Sequence, residues 1–161
     1  MARPVICLKA RALRYLSARE HSRIELARKL ARHAQEGDDI EQLLDALEAD
    51  KFLSNTRFCN SLIKRRAKRS GNSRILAELE SHGIGGPALS EVRSELVDGE
   101  TARACDAWQR KFSAPGRDLA ERSKQMRFML QRGFSQPAIR IAMQGSVQSD
   151  DDFIETPEAI D

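Results

Sequence analysis

A tandem pattern with a period of 50 residues constrains this chain more than any other feature. Gly83 and Gly133 lie 50 residues apart, and each is followed by a large apolar residue, Ile84 and Phe134. Apolar positions recur at the same offset: Leu26, Leu76 and Met126; Leu89 and Ile139; Val92 and Ala142. We expect the three members of the first series to be buried at equivalent places. Such a period, with three short helices per unit, is typical of tandem helical arrays, whose units contact mainly their neighbours.

Helix start signals agree with this pattern. Ser22, followed three residues later by Glu25, forms a capping box: the hydroxyl accepts from a backbone amide, and the carboxylate reaches back. Asp38 and Asp39 suit the N-terminus of the next helix, because acidic groups interact favourably with the helix dipole. Leu and Ala are abundant, whereas Val and Thr, which favour strands, are scarce. The sequence therefore predicts helices and argues against a sandwich or a barrel.

The pattern divides the chain into three three-helix repeats, at residues 1–53, 54–98 and 99–145. Residues 146–161 differ, because they carry six acidic residues, no basic residue and no apolar period. We expect them to form a disordered acidic tail. The predicted fold class is all-α, with three tandem three-helix repeats in an elongated array followed by this tail.

The net charge of +3 hides a strong segregation of charge along the chain. Residues 34–50 carry seven acidic and no basic residues, whereas residues 51–75 carry eight basic and no acidic ones. Residues 76–102 are again mainly acidic and residues 103–140 mainly basic. One interpretation is that these are solvated helix faces that pair across repeat boundaries. The other is a surface that meets a partner of both signs, such as a protein filament with nucleic acid inside it.

The densest basic run is K-R-R-A-K-R at residues 64–69. Its spacing predicts a broad basic helix face that binds phosphates without reading bases. The aromatic residues at helical spacing are expected in the core: Tyr15, Phe58, Trp108 and Phe112. The candidate contacts to a partner are basic: Arg14, Arg23, Arg28, Arg32, Lys64, Arg65, Lys68, Arg69, Arg74, Arg122 and Arg127. Some of these are expected to pair with the acidic third helices instead.

Motifs that carry chemistry are missing from the sequence. Gly83 and Gly85 lack the strand, the lysine and the spacing of a phosphate-binding loop. The histidines and cysteines are too scattered for a metal cluster or a disulfide framework: His21, His33, His82, Cys7, Cys59 and Cys105. We therefore expect no enzyme activity, no metal and no cofactor. No apolar stretch is long enough to span a membrane and no targeting signal is visible, so the expected location is cytoplasmic.

Four separated motifs resemble the RecX family of regulatory proteins. They are A-L-R-Y-L-S-A-R-E-H-S-R-I-E-L-A-R-K-L at 12–30, K-F-L-S-N-T-R-F at 51–58, S-G-N-S-R-I-L-A-E-L-E-S-H-G-I at 70–84 and F-M-L-Q-R-G-F-S at 128–135. The resemblance covers residues 8–144 in the family's order and spacing. Asn72 and Ser73 depart from it, because many members have a further Gly or Pro there. The acidic tail lies outside the family pattern.

The resemblance implies a fold of three tandem three-helix units and a role as a negative modulator of the RecA recombinase. Members of this family bind the RecA filament along its helical groove, limit its extension and promote its loss from DNA. They thereby restrain homologous recombination, strand exchange and the co-protease activity that triggers the SOS response to DNA damage. The family has no catalytic residues to carry over to this chain.

The expected partner is therefore the RecA protein filament, with non-specific contact to single- or double-stranded DNA, no membrane contact and a monomeric state. An alternative is a DNA-binding protein of helix-turn-helix-like modules that acts independently of RecA. The basic block favours this alternative, and the acidic blocks argue against it. A salt titration separates the two, because direct DNA binding is lost steeply as salt rises.

Overall fold

The computed structural model describes residues 6–145, which form nine α-helices. The helices are α1 (Leu8–Ala18), α2 (Arg23–Ala31), α3 (Ile40–Ala49), α4 (Asn55–Arg66), α5 (Asn72–Ser81), α6 (Gly86–Val97), α7 (Glu100–Lys111), α8 (Leu119–Gln131) and α9 (Gln136–Gln144). No strand occurs within this range, so the all-α prediction is confirmed. The acidic tail predicted for residues 146–161 lies outside the described residues.

The described part of the chain divides into two compact units. The first unit contains residues 6–66 and 76–93, and the second unit contains residues 67–75 and 94–145. Of the three boundaries, one falls at the end of α4 and the other two fall within α5 and within α6. The boundaries predicted for the three repeats stay a prediction.

In the first unit, α2 packs against both α1 and α3. The buried residues at this junction are apolar: Ala12, Leu26, Leu30, Leu44, Leu47 and Leu53. Burial of a Leu side chain is worth about 1.5–3 kcal/mol relative to exposure. These leucines therefore supply much of the driving force that holds α1, α2 and α3 together.

In the second unit, α9 packs along α7 and also contacts α8. Its core consists of Ala104, Ala107, Trp108, Met129, Phe134, Ala138, Ile139 and Ala142. Small alanine side chains on both α7 and α9 allow the two helices to approach each other closely. Trp108 fills the remaining space and is 1% exposed, which confirms its predicted place in the core. Phe112 and Phe128 extend this core in an edge-to-face pair with their ring centroids 5.3 Å apart.

Capping side chains fix where the helices begin, as the sequence predicts. The Ser22 hydroxyl accepts a hydrogen bond from the amide of Glu25 at 3.2 Å, and the Asp39 carboxylate accepts one from the amide of Gln42 at 2.9 Å. The second half of the predicted capping box is wrong, because the Glu25 carboxylate pairs with Arg19 instead of reaching back. The guanidinium outcompetes a neutral amide, since it offers charge-assisted hydrogen bonds.

The series at a period of 50 is buried at Leu26 and Leu76, but the prediction is wrong at Met126, which is 38% exposed. The buried positions of α8 are Gln125 and Met129. Gln125, one residue earlier and about 100° away around the helix axis, takes the buried position instead.

The equivalent buried positions are Leu30, Leu79 and Met129, each of which is fully buried. The carbonyl of each accepts a hydrogen bond from the amide three residues later, at 2.9, 3.0 and 3.1 Å respectively. The spacing between these positions is 49 residues and then 50. The repeat is therefore real at the helix ends, but a constant period of 50 sets Leu26 one residue out of register with Leu76 and Met126.

Candidate functional site

The eleven basic residues that the sequence singles out are distributed over both units. Those in the first unit are Arg14, Arg23, Arg28, Arg32, Lys64 and Arg65. Those in the second unit are Lys68, Arg69, Arg74, Arg122 and Arg127. The candidates are therefore divided between the two units.

Arg23 is occupied by carboxylates of its own chain. Its guanidinium lies 2.7 Å from Glu41, 2.7 Å from Asp45 and 3.0 Å from Glu48, all on α3. Hydrogen bonds to these three carboxylates raise the pKa of Arg23 further above its usual range. Arg23 thus makes the pairing with an acidic third helix that the sequence predicts for part of the set, and it ties α2 to α3.

Two other candidates hold backbone carbonyls in the second unit. The Nε of Arg122 donates to the carbonyl of Gly116 at 2.9 Å, and Nη1 of Arg74 donates to the carbonyl of Gln131 at 3.4 Å. The remaining candidates are exposed and make no ion pair within residues 6–145: Arg14, Arg28, Arg32, Lys64, Arg65, Lys68, Arg69 and Arg127. These eight side chains keep their charge available to a partner.

The basic run at residues 64–69 does not lie on one helix, so the predicted continuous basic face is wrong. The helix α4 ends at Arg66, and residues 67–69 form a turn. Lys64 and Arg65 therefore belong to the first unit, whereas Lys68 and Arg69 belong to the second. Closely spaced like charges disfavour a further helical turn here, and the carbonyls after α4 have other partners.

Three consecutive carbonyls after α4 accept hydrogen bonds from guanidinium groups of the second unit. These arginines lie on α7 and at the end of α8, more than 30 residues away in sequence. The pairs are Lys68 with Arg110, Arg69 with Arg132 at 3.3 Å, and Ser70 with Arg103 at 3.0 Å. The turn is thus held in place by cations rather than by helical amides.

A buried carboxylate fixes the same segment from its other end. Oε1 of Glu100 accepts hydrogen bonds from the amide of Asn72 at 2.9 Å and the amide of Ser135 at 3.3 Å. It thereby caps the start of α5 and the start of α9 at once. Burial lowers the pKa of Arg103 from its usual range, and the attraction of Glu100 opposes this shift.

These contacts build a shallow cavity in the second unit, which we call the basic cavity. Its volume is about 320 Å³, and its lining includes five cations and no carboxylate. The lining residues are Lys68, Arg69, Ala107, Arg110, Lys111, Phe128 and Arg132. None of the five cations makes an ion pair within residues 6–145. The cavity therefore concentrates uncompensated positive charge.

Sequence analysis identifies only Lys68 and Arg69 of this set. Arg110 and Lys111 end α7, and Arg132 follows the end of α8, where basic residues are ordinarily explained by the helix dipole. Phe128 is hidden in the third-repeat motif as one apolar residue among several. The sequence gives no signal for an unpaired charge at Arg110, because Asp106 lies four residues earlier, where an ion pair is the ordinary expectation.

The lining of the basic cavity supplies positive charge and hydrogen-bond donors. Within residues 6–145, no group of His, Cys, Asp and Glu side chains is placed to hold a metal ion. None of the helices described is long and apolar enough to cross a membrane. The guanidinium and ammonium groups of the cavity offer several N–H donors to an anion, and guanidinium groups match the geometry of phosphate.

Two family models match this chain, one in its N-terminal part and one in its C-terminal part. The model of the RecX first three-helix domain matches residues 9–47, and that of the RecX third three-helix domain matches residues 98–143. A solved structure of RecX from Lactobacillus salivarius has a TM-score of 0.72 at 18% identity, covering 87% of this chain and 94% of that one. A likeness at this identity shows the fold, and it agrees with the predicted three-helix organisation.

Other members of the family share a much higher sequence identity with this chain. Regulatory protein RecX of Herminiimonas arsenicoxydans is 60% identical over 151 residues, which cover 94% of this chain and 100% of the relative. Regulatory protein RecX of Herbaspirillum seropedicae is 58% identical over 152 residues, which cover 94% and 99% respectively. With identity this high over nearly the whole length, the chain belongs to the RecX family of regulatory proteins.

Proposed function

We propose that this protein is a negative regulator of the RecA recombinase. It binds the RecA nucleoprotein filament, limits its extension and inhibits the ATPase, strand-exchange and co-protease activities of RecA. The observation that carries this proposal is the 60% identity to a regulatory protein RecX along the full length of that relative. Within residues 6–145 no cluster of His, Cys, Asp and Glu side chains is placed to hold a metal ion, which is compatible with action by binding alone.

Recognition in this proposal rests on charged contacts made by exposed side chains. The first unit offers Lys64 and Arg65 at the end of α4, where both side chains are exposed and have no intramolecular carboxylate partner in the described structure. Each well-made contact of such a cation with a carboxylate or phosphate is worth about 1–3 kcal/mol. Arg14, Arg28 and Arg32 on α1 and α2 are further candidates of the same kind.

The test is the DNA-dependent ATPase of RecA measured with increasing amounts of this protein. The wild-type protein slows ATP hydrolysis and strand exchange and hydrolyses no ATP itself. The double variant K64E/R65E inhibits less, whereas K9E/R93E, with the same change of charge at two exposed positions of the first unit, inhibits normally. If wild-type protein leaves RecA unaffected over a wide concentration range, the proposal fails.

The RecA-independent alternative makes a different prediction in a salt titration. If DNA alone binds the protein tightly, and affinity falls steeply as salt rises, direct DNA binding explains the basic surface. If binding requires a preformed RecA filament, the regulatory function explains it.

The proposal takes the protein to act as a monomer in the cytoplasm, which sedimentation and cell fractionation would check.

A further inference from the structure

The basic cavity gathers five cations around one concave surface, and none of them has a carboxylate partner within residues 6–145. Four arginines elsewhere in the described residues are paired with carboxylates: Arg19 with Glu25, Arg23 with α3, Arg57 with Glu20 and Arg66 with Glu78. In the basic cavity, two arginines are held by neutral carbonyls and no carboxylate approaches within 4.0 Å. Even Asp106, one turn before Arg110, contributes only its carbonyl oxygen, at 3.1 Å from Nε.

We propose that the basic cavity is a nucleotide-binding site. The phosphates lie on the cations of Arg69, Arg110 and Lys111, and the base packs against the apolar wall formed by Phe128 and Ala107. The proposal concerns binding by this chain alone, so it stands or falls independently of the proposed action on RecA.

The first support is the unbalanced charge. Five cations around one cavity repel one another, and this repulsion is relieved when an anion enters. A single carboxylate would compensate one of the five charges, whereas the phosphates of a nucleotide or of successive nucleotides in a strand compensate several. The charge count of the cavity therefore favours a ligand with more than one phosphate.

The second support is that the donors are already in position. Arg110 is anchored by the carbonyls of Lys68 and Asp106, and Arg132 is anchored by the carbonyl of Arg69. A guanidinium has five N–H donors, so these bonds leave several for a ligand. Because the acceptors are neutral, the full positive charge also remains. A preformed site of this kind loses little conformational entropy when the ligand binds.

The third support is the aromatic wall. The guanidinium carbon of Arg132 lies 4.4 Å from the ring centroid of Phe128, and the ammonium of Lys111 lies 5.7 Å from it. Cations beside a half-buried ring combine charge with an apolar surface, as base-stacking sites do. The volume of about 320 Å³ lies at the lower end of small-molecule sites, roughly 300–1,000 Å³, and suits one nucleotide.

The experiment measures the anisotropy of a labelled thymidine oligonucleotide bound to the full chain, with the salt concentration varied. The cavity variant is R69E/K111E, and the matched control is R117E/K124E, which reverses one Arg and one Lys at exposed positions of the same unit. Neither cavity side chain donates a hydrogen bond within residues 6–145, so both variants are expected to fold. Circular dichroism checks this directly.

The cavity variant is expected to bind at least about tenfold more weakly than wild type. Its slope of log affinity against log salt is expected to be smaller by about 1.4, because each phosphate contact to a single strand contributes about 0.7. The control should keep the wild-type slope. Equal losses in the two variants would overturn the proposal, since general positive charge would then explain binding.

Two further probes test the base and identify the source of the phosphates. An abasic strand of the same length should bind the wild-type protein more weakly than the oligonucleotide. The variant F128L should bind the two strands equally. Equal binding of both strands to the wild-type protein would overturn the role of Phe128. The second probe is ADP. If ADP displaces the oligonucleotide from the wild-type protein but binds R69E/K111E weakly, the ligand is a free nucleotide. If the oligonucleotide binds the wild-type protein more tightly than R69E/K111E but ADP does not displace it, the ligand is a nucleic acid strand. Absence of binding by both probes would overturn the site.

Discussion

The backbones of Gly71 and Gly133 touch so closely that neither position has room for a side chain. The amide of Gly71 donates to the carbonyl of Arg132 at 2.8 Å, and a Cβ atom on Gly71 would lie 2.3 Å from the carbonyl carbon of Gly133. Ser73 completes the contact, because its hydroxyl donates to the carbonyl of Gly133 at 2.8 Å. This contact joins the start of α5 to the end of α8, and Arg132, whose carbonyl accepts from Gly71, also lines the basic cavity.

Gly71→Ala is therefore expected to destabilise the protein by about 1–3 kcal/mol, the usual cost of forcing a group into a filled space. Gly85→Ala is the control, because a Cβ there meets no atom within 4 Å. Its effect should stay within about 0.5 kcal/mol. Urea unfolding measures both, and equal stabilities for the two variants would contradict the close contact.

Substitution of two neighbouring methionines tests the register of α8. Met129 is fully buried, so Met129→Ala should cost about 2–5 kcal/mol, the range for deleting a large core side chain. Met126 is 38% exposed, so Met126→Ala should cost less than about 1 kcal/mol. Leu26→Ala should resemble Met129→Ala. A larger loss at Met126 than at Met129, measured by thermal or urea unfolding, would restore the constant period of 50.

Much of the fold follows from the sequence because it is encoded locally. Ser22 and Asp39 cap helices where their spacing predicts. Gly83 and Gly133 follow the ends of α5 and α8 in the left-handed conformation that glycine commonly adopts after a helix. The start of α9 is likewise marked by Ser135, which accepts from the amide of Ala138 at 3.4 Å. Each of these signals depends on residues within four positions of one another.

The candidate site is less predictable, because its contacts join residues that are distant in sequence. The carbonyl of Arg69 meets the guanidinium of Arg132 across 63 positions, and no local pattern encodes that pairing. Glu100 lies in an acidic segment that suggests a solvated face, yet it is buried and caps two helices. In both cases the tertiary contact, rather than the helix dipole or the local charge pattern, decides the role of the side chain.

Removal of the Glu100 carboxylate should loosen both helix starts that it caps. Glu100→Ala leaves the amides of Asn72 and Ser135 without this acceptor, and hydrogen bonds to a charged group are worth about 1.5–3 kcal/mol. Glu100→Gln keeps an oxygen acceptor and should recover part of the loss. Hydrogen exchange of these two amides is the direct measurement. If both amides stay as protected in Glu100→Ala as in wild type, the capping role is wrong.

His21 should make stability depend on pH. It is buried, its Nδ1 lies 2.9 Å from the carbonyl of Arg19, and its Nε2 lies 2.9 Å from the ammonium of Lys29. Burial is the main cause that lowers its pKa below 6.5, and the positive charges of Arg19 and Lys29 act in the same direction. The carbonyl of Arg19 and the carboxylate of Glu25 oppose the shift.

Because the folded state then binds fewer protons than the unfolded state, the contribution of His21 is fully present above pH 6.5 and is lost as pH falls below it. Each unit by which the pKa is lowered corresponds to about 1.4 kcal/mol. Unfolding of wild type and His21→Gln between neutral pH and pH 5 measures the difference. The free energy of unfolding of wild type should fall more steeply with acid, and parallel curves would exclude His21 as the cause.

Removal of the acidic C-terminal segment should strengthen non-specific binding to DNA. Residues 146–161 carry six acidic and no basic residues, so a chain that ends at Gly145 has a net charge of +9 instead of +3. The more positive protein attracts a polyanion more strongly and associates with it faster, and both effects weaken as salt screens the charge. Anisotropy with a labelled duplex at low and high salt measures the change, and a scrambled tail of the same composition serves as the control.

If the shortened protein and the scrambled-tail protein bind equally, the charge of the segment has no influence on association with DNA. If the shortened protein instead melts at a much lower temperature than the full chain, these residues contribute to stability, which their lack of an apolar period does not predict.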